Sequence, residues 1–531
     1  MRSIKRLMIL AHRYIGIPLS FMFVVWFVSA FFMIYTGGMP RITPDMQIDG
    51  ASALDFTEVR ITPEQAAATV GYTAPQVSLR QVLGRPVYEF AEPGYPSLFI
   101  HADNGTYMDP LDEQQSLRLA SEFLAIPAQQ LRPVAQLQQV DQWTMTESRD
   151  LPFYKFAADD GLGTEVYVSP ENAKVVVYTT SRSRALAWLG TIPHWLYFAS
   201  LRLNQPLWYD VVIWLSALGS VLALLGLVLA VTQWRRTRPF TLQRAIPYRG
   251  LLRWHYILGA LFGVIMLTWV FSGLLSMEPF AWTRDPGVAV DRQVLADGSL
   301  DLAAFPSLRE ADWQGLEGQE IKRIDFQWLQ GAPYLLANYS APRSGLEKRD
   351  RLHQPYNIAG QFAAESRLYD AHSGAVVDGF DQATLVAKLD AAVSTATVTE
   401  VSLLQGYDDY YYSRQGQLAL PVLRVAFDDP GRSWIYVDPE RSQVLAVISK
   451  WSRLERWLYN GLHSLDFAFW YHQRPLWDIG VILLLLGGLG LSVFGLVVGV
   501  KRLVQDLRAL VARLKKGARQ IPSHQELPDA R

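Results

Sequence analysis

The stretch AHRYIGIPLSFMFVVWFVSAFF, residues 11–32, decides how the rest of the chain is read. From Ile15 to Tyr35 it carries no charge, and a bilayer crossing takes about 20 apolar residues. The run is too long for the core of a signal peptide and no A-x-A site closes it, so it reads as a retained membrane anchor. Three more stretches have the same character: Leu207–Gln233, Tyr256–Ser276 and Leu476–Val500.

The opening stretch returns without a gap as WHYILGALFGVIMLTWVFSGLL, residues 254–275. His12 aligns with His255, Gly16 with Gly259, Trp26 with Trp269 and Ser29 with Ser272. A second pair of segments repeats in the same way. LGTIPHWLYFASLRLNQPLW (189–208) matches YNGLHSLDFAFWYHQRPLW (459–477). There His194 aligns with His463, Phe198 with Phe467, Pro206 with Pro475 and Trp208 with Trp477, followed by Gly219 with Gly488 and Gly226 with Gly495. Each half therefore reads as span, outer domain, short outer helix, span. Two halves of one orientation imply a pseudo-two-fold axis along the membrane normal. Gly259-x-x-x-Gly263 and Gly495-x-x-x-Gly499 allow close helix contact or room for a bulky planar group.

The two long connections repeat a smaller unit that ends in strand, polar turn, strand. Its four copies are SLFIHADNGTYM, EVYVSPENAKVVVY, SRLYDAHSGAVVD and SWIYVDPERSQVLAV. Asn104-Gly105 and Ser373-Gly374 supply hairpin turn chemistry between alternating apolar residues. Short helix signals precede most copies: TPEQAAATV, with Thr62 as N-cap, Pro63 in the first turn and Glu64 at the positive helix end, and DQATLVAKLDAA. The expected fold is an α-helical membrane protein with α+β extramembrane domains. Four transmembrane helices form two tandem pseudo-two-fold repeats, each with a loop of two helix-plus-antiparallel-sheet units. The expected boundaries are 1–36 for the N-terminus and first span, 37–182 for the first pair of units, and 183–234 for an outer helix and second span. A basic loop (235–255), the third span (256–277) and the second pair of units (278–449) follow. An outer helix with the fourth span (450–500) and a basic tail (501–531) complete the chain.

Lys and Arg set the orientation. Arg2, Lys5, Arg6 and Arg13 precede the first span; Arg235, Arg236, Arg238, Arg244, Arg249 and Arg253 separate the second and third; Lys501, Arg502, Arg508, Arg513, Lys515 and Lys516 follow the fourth. All three segments, and both termini, read as cytoplasmic, which places the large loops outside. With no cysteine in 531 residues, the simplest location is a bacterial inner membrane with periplasmic loops. The tail reads as a basic amphipathic helix on the inner leaflet followed by a polar segment. The absence of cysteine also excludes disulfides, iron–sulfur clusters, thiolate zinc, a thiol nucleophile and covalent c-type haem. A net charge of −1 argues against a nucleic-acid partner. An aromatic content of 12% fits the interfacial belts of a membrane protein.

Together these features resemble the PepSY-associated transmembrane family of bacterial inner-membrane proteins. The carrying motifs are His12-Arg13-Tyr14, Trp254-His255, the D-x-x-[ST]-G turn at Asp370–Gly374, and the paired H…PLW segments at 194–208 and 463–477. Asn172-Ala173 and Arg441-Ser442 stand where that family has Thr-Gly. The resemblance covers nearly the whole chain and implies that the small outer units are PepSY-like. The best-understood branch of the family reduces ferric siderophores at the inner membrane and carries b-type haem; other members have no assigned activity. An electron-transfer role, with a haem-dependent ferric-chelate oxidoreductase as the candidate enzyme, is what the resemblance implies.

The histidines support the same direction independently. Four of the nine form two duplicated pairs at membrane boundaries: His12 with His255, and His194 with His463. Related helices facing each other across a two-fold axis bring equivalent imidazoles together, as bis-histidine haem ligation requires. Trp26, Trp269, Phe198 and Phe467 are candidates to line the slot. One or two b-type haems per chain are expected, with His12, His255, His194 and His463 as ligands to the haem iron. Ligation within one half, by His12 and His194, is disfavoured because they lie at opposite faces. The bland alternative is interfacial packing, with a polar edge among headgroups.

His472, Arg474, Arg184 and Arg453 are auxiliary candidates near the outer surface, for a haem propionate or an anionic substrate. The arginines read equally as interfacial residues reaching lipid phosphate. Asp408-Asp409-Tyr410-Tyr411-Tyr412 reads as a half-buried strand, or as a stacking ligand site. His101, His353 and His372 read as surface residues, and His524 belongs to the tail. There is no Walker A loop, dinucleotide fingerprint, H-E-x-x-H or nucleophile elbow. The cytoplasmic segments are too short for a flavin or nicotinamide domain, so a reductase of this design takes electrons from a separate cytoplasmic donor or from quinol. It passes them to a periplasmic ferric chelate or other small-molecule acceptor. Two alternatives stay open. One is a non-catalytic PepSY protein that binds or regulates a periplasmic partner such as a peptidase. The other is a metal or siderophore uptake component, weakened because only Asp210 and Asp478 put charge in the spans.

Overall fold

The computed structural model describes residues 2–36, 38–71, 74–237, 241–281, 283, 287–291, 293–310, 320–341, 363–412 and 418–518. Four helices are long and apolar enough to cross a membrane: Arg2–Thr36, Gln205–Gln233, Gly250–Leu275 and Leu476–Ala518. The first packs mainly against the fourth, and the third against the second and fourth. Leu19, Phe23, Phe27, Met266, Trp269, Val270, Trp477, Val481 and Leu485 fill the space between them. Glycines set the close approaches. A Cβ on Gly263 would stand 2.8 Å from Leu227, and one on Gly488 would stand 2.3 Å from the ring of Phe27. The fourth helix runs unbroken through the basic segment to Ala518, so that segment continues the span rather than starting a separate helix. Residues 519–531, with His524, lie outside the described residues.

Both long connections leave the C-terminal ends of the first and third spans, so they emerge on one side, here termed the domain side. The first supplies β1 (Gln76–Val82), β2 (Arg85–Ala91), β3 (Leu98–His101), β4 (Leu131–Leu137), β5 (Phe153–Ala158), β6 (Glu165–Ser169) and β7 (Lys174–Thr179). The second supplies β8 (Ile321–Leu329), β9 (Ala332–Ala341), β10 (Ala363–Asp370), β11 (Val398–Leu404), β12 (Val422–Phe427), β13 (Trp434–Asp438) and β14 (Gln443–Ile448). Among the described residues these form three antiparallel sheets. Two are four-stranded, β4-β5-β6-β7 and β11-β12-β13-β14; the third is six-stranded, β10-β9-β8-β1-β2-β3.

The first sheet segment of each connection is joined to the other at one seam. Strands β1 and β8 pair with Val77 opposite Phe326, Ser78 opposite Asp325 and Leu79 opposite Ile324. All four apolar residues are buried. Left apart, each strand would expose a row of unpaired backbone groups beside an apolar face; pairing satisfies the one and buries the other.

Helix starts follow the side-chain chemistry. Thr62 and Asp112 close reciprocal capping boxes with Gln65 and Gln115, and Asp381 caps Gln382–Ala392. Helices Glu113–Leu124 and Gln382–Ala392 each lay one apolar face on a four-stranded sheet, through Ala120, Phe123 and Leu124 and through Leu385 and Leu389. At Asp370–Gly374 the Asp370 carboxylate accepts the amides of His372 and Ser373 and the Ser373 hydroxyl, which holds its pKa below the usual carboxylate range. Gly374 takes φ 67°. Ala173 and Ser442 occupy the same left-handed region at φ 42° and 47°, where glycine is the unstrained choice.

Candidate functional site

Two pairs of imidazoles face each other across the helix bundle. At the far side, His12 on the first span donates its Nδ1 proton to the Leu222 carbonyl at 3.2 Å, and His255 on the third span does the same to Leu491 at 3.3 Å. A carbonyl can only accept, so each Nδ1 carries the hydrogen and each Nε2 keeps its lone pair. The ring centroids are 6.3 Å apart at 45°. Space for both rings comes from glycine: a Cβ on Gly226 would stand 3.0 Å from Cε1 of His12, and one on Gly495 would stand 3.1 Å from Cε1 of His255.

On the domain side, His194 lies in the one-turn helix Thr191–Trp195, and His463 follows a π-helical turn at Arg456–Gly461. Both short helices end in a left-handed leucine, Leu196 and Leu465, which turns the chain back toward the next span. His194 Nδ1 lies 3.0 Å from Ser29 Oγ and 3.3 Å from the Trp26 carbonyl. His463 Nδ1 lies 3.1 Å from Ser272 Oγ and 3.0 Å from the Trp269 carbonyl. The two rings are 6.1 Å apart at 70°. The pairs stand about 21 Å apart along the first span, taking 1.5 Å per residue from His12 to Trp26.

A cavity of about 580 Å³ opens between His194 and His463. Trp26, Trp269, Trp208, Trp477, Phe23 and Phe27 form much of its wall. The indoles of Trp208 and Trp477 donate outside the cavity, to the carbonyls of Trp195 and Leu465. The wall is mostly apolar, and its polar lining comes from the two imidazoles with Tyr197, Tyr459, Ser216, Ser276 and Ser464, a mix expected of a small-molecule or cofactor site.

Two imidazoles on opposite sides of one ion, each bonded at about 2 Å, bring their ring centroids roughly 6 Å apart. Both pairs meet this distance, and both hold the tautomer that leaves Nε2 free. Among the described residues no group of three or more His, Asp or Glu converges on a metal position. Each pair could hold a planar metal macrocycle through its two imidazoles, and the domain-side pair adds an aromatic-lined cavity.

The structure brings the four expected histidines together as two separate pairs and places Trp26 and Trp269 on the domain-side cavity wall. It does not place Phe198 or Phe467 there. After the left-handed turns Phe198 packs tilted against Trp188 and Phe467 stacks on Trp457, with centroids 6.2 Å apart in each case. The auxiliary candidates lie off the cavity wall. Arg184 is held by Thr179 Oγ1 (2.8 Å), the Gly163 carbonyl (3.0 Å) and Glu165 (3.4 Å). Arg453 stacks on Trp434 at 4.3 Å, and Arg474 stacks on Trp477 at 4.2 Å while pairing with Asp478. His472 is exposed beside Tyr471.

The Asp408–Tyr412 run is a loop, not a strand. Asp408 Oδ1 accepts the amides of Tyr410 and Tyr411, and its Oδ2 accepts the Tyr436 hydroxyl, so the side chain replaces the ladder that a strand would need. His101 contacts Arg85, and His372 is exposed. His353 falls outside the described residues.

Some participants carried no functional reading from sequence. Ser29 and Ser272 align in the repeat, three residues after a tryptophan, and that spacing was their signal. Gly226 carried only its alignment with Gly495, whereas Gly495, within Gly495-x-x-x-Gly499, did read as helix contact or as room for a bulky planar group. No protein-family model and no curated protein sequence matches this chain.

Proposed function

We propose that this chain is a haem b-containing inner-membrane electron-transfer protein of the PepSY-associated transmembrane type. It moves electrons from the cytoplasmic side to a periplasmic acceptor. One facing histidine pair near each end of the bundle, each with the same anchored tautomer, is the observation that carries this reading. Bound haem would supply one-electron chemistry at each pair. The chain's own contribution is to hold four imidazoles with Nε2 free and to line the domain-side slot with tryptophan.

The recurrence of each contact 243 or 269 residues later supports two tandem repeats about a pseudo-two-fold axis. Leu222 and Leu491, Ser29 and Ser272, and Trp26 and Trp269 all occupy matched roles. The Ser78–Asp325 pairing at the centre of the sheet seam supports the same axis through PepSY-like units. The basic segments put the far side in the cytoplasm and the sheets in the periplasm. A ferric siderophore or other ferric chelate is the proposed acceptor class, taken from the family resemblance, and the donor is a separate reductant or quinol.

The test is a reduced-minus-oxidised absorption spectrum of the purified full chain, with haem quantified per polypeptide. A b-type α-band at one or two haems per chain supports the proposal. A haem-free protein from cells supplied with haem precursor removes it and leaves a PepSY binding module as the reading to pursue.

A further inference from the structure

The two histidine pairs are not held in the same way. Each far-side Nδ1 meets one acceptor, a main-chain carbonyl. Each domain-side Nδ1 meets two, a carbonyl and a serine hydroxyl. Ser29 Oγ donates its own proton to the Trp26 carbonyl at 2.9 Å, and Ser272 Oγ donates to the Trp269 carbonyl at 3.0 Å. A hydroxyl has one proton, so toward the imidazole each serine is left to accept. Ser29 and Ser272 are almost completely buried, at 1% and 0% exposure, so no water competes for this bond.

We infer that Ser29 and Ser272 are positioning residues that tune the domain-side site and make it electronically distinct from the far-side site. The inference rests on the haem reading proposed above. A ligand histidine that gives its second N–H to an acceptor becomes a more basic donor through the other nitrogen, and its orientation is fixed. A more basic donor favours the more oxidised metal. With two acceptors per ring, the domain-side imidazoles are the more strongly polarised pair. The serines also tie the loops carrying His194 and His463 to the first and third spans, so ring orientation is set by the rigid bundle.

The experiment is an equilibrium redox titration of the full chain, followed by optical and electron paramagnetic resonance spectra. The unaltered protein is compared with S29A/S272A and with the hydroxyl-retaining S29T/S272T. Haem per chain is measured first, and a haem-free unaltered protein would defeat the underlying reading before any titration. With haem present, the alanine variant is expected to move one of two redox components to higher potential while the other stays. The threonine variant returns it. Selective loss of one haem equivalent in the alanine variant, retained in the threonine variant, equally supports the inference. Unchanged components in the alanine variant overturn it with haem binding intact, as does a threonine variant that behaves like alanine.

Discussion

Gly495 packs against the imidazole of His255, where an added Cβ would stand 3.1 Å from Cε1 and 3.2 Å from Ser20 Oγ. Gly226 stands in the same relation to His12 at 3.0 Å. Alanine at such a distance asks the neighbours to yield by a few tenths of an ångström. A β-branched side chain has no such escape, because its extra carbons point into the ring and the serine together. Gly495→Val is therefore expected to displace His255 and empty the far-side site alone. With haem bound as proposed, two equivalents per chain fall to one and the domain-side signature persists. Retention of both equivalents would show that the ring does not need this space.

A second glycine tests packing without reference to any cofactor. A Cβ on Gly488 would meet the ring of Phe27 at 2.3 Å, and Phe27 is itself wedged against Trp269 with centroids 5.7 Å apart. Overpacking of a filled core costs about 1–3 kcal/mol. Gly488→Ala is expected to lower the thermal midpoint in detergent by a matching amount. Phe27→Leu in the same chain, by shortening the obstructing side chain, should recover part of the loss. Equal midpoints for the unaltered and Gly488→Ala proteins would mean that the fourth span moves freely at this point.

The six-stranded sheet carries a pH dependence of known sign. Burial alone would push the Glu89 carboxyl up, but Arg80 at 2.9 Å, with Arg323 and Lys174 nearby, outweighs it and holds the group below its ordinary value. The folded state therefore binds fewer protons than the unfolded state, whose glutamates titrate near about 4.3. Stability from this pair is present above that value and is lost as pH falls through the folded-state value. Arg80 also donates to the carbonyls of Asn172 and Ala173, so acid weakens the tie between the six-stranded sheet and the β6–β7 turn. Thermal midpoints of the unaltered protein and Glu89→Gln, measured from neutral to acid, should start apart and converge as the pH falls below the unfolded-state value and through the lower folded-state one. Curves that stay parallel would remove Glu89 from the acid response.

The histidine pairs were legible in the sequence because a membrane leaves little conformational choice: apolar runs become helices, and equal spacing in two helices becomes equal depth. The β1–β8 seam was not legible. Alternation at Val77 and Leu79 tells which face is buried but names no partner, and the partner strand begins at Ile321. Phe198 and Phe467 had the right spacing for the slot, but the left-handed residues Leu196 and Leu465 reverse the chain between histidine and phenylalanine, which no periodicity records. The run at Asp408–Tyr412 alternates well enough for a strand, yet an aspartate that caps two amides holds it as a loop. Ser29 and Ser272 were visible as aligned residues, but the bond from Ser29 to a histidine 165 positions away is a product of tertiary structure.

Both halves also tie the carbonyl three residues beyond the domain-side histidine to the sheet domain, by different chemistry. In the first half Gln142 donates to the Tyr197 carbonyl at 2.7 Å and accepts the Ala199 amide at 3.0 Å. In the second, Arg456 donates to the Asp466 carbonyl at 2.8 Å and to the Asp409 carbonyl at 2.9 Å, while the Tyr412 hydroxyl donates to the Asp466 carboxylate. Arg456 is buried between the rings of Tyr412 and Trp457, and the Asp466 side chain is 3% exposed, 3.9 Å from the guanidinium. Removing one member of a buried charged pair costs about 3–5 kcal/mol, whereas losing neutral hydrogen bonds costs roughly 0.5–1.5 kcal/mol each. Arg456→Met should therefore destabilise the chain clearly more than Gln142→Ala in parallel unfolding experiments. Asp466→Asn added to Arg456→Met should restore part of the loss, because the carboxylate no longer has to be buried without that cation. If the double variant is no more stable than Arg456→Met, the guanidinium acts through its two carbonyl bonds and ring contacts, and the ion pair contributes nothing measurable.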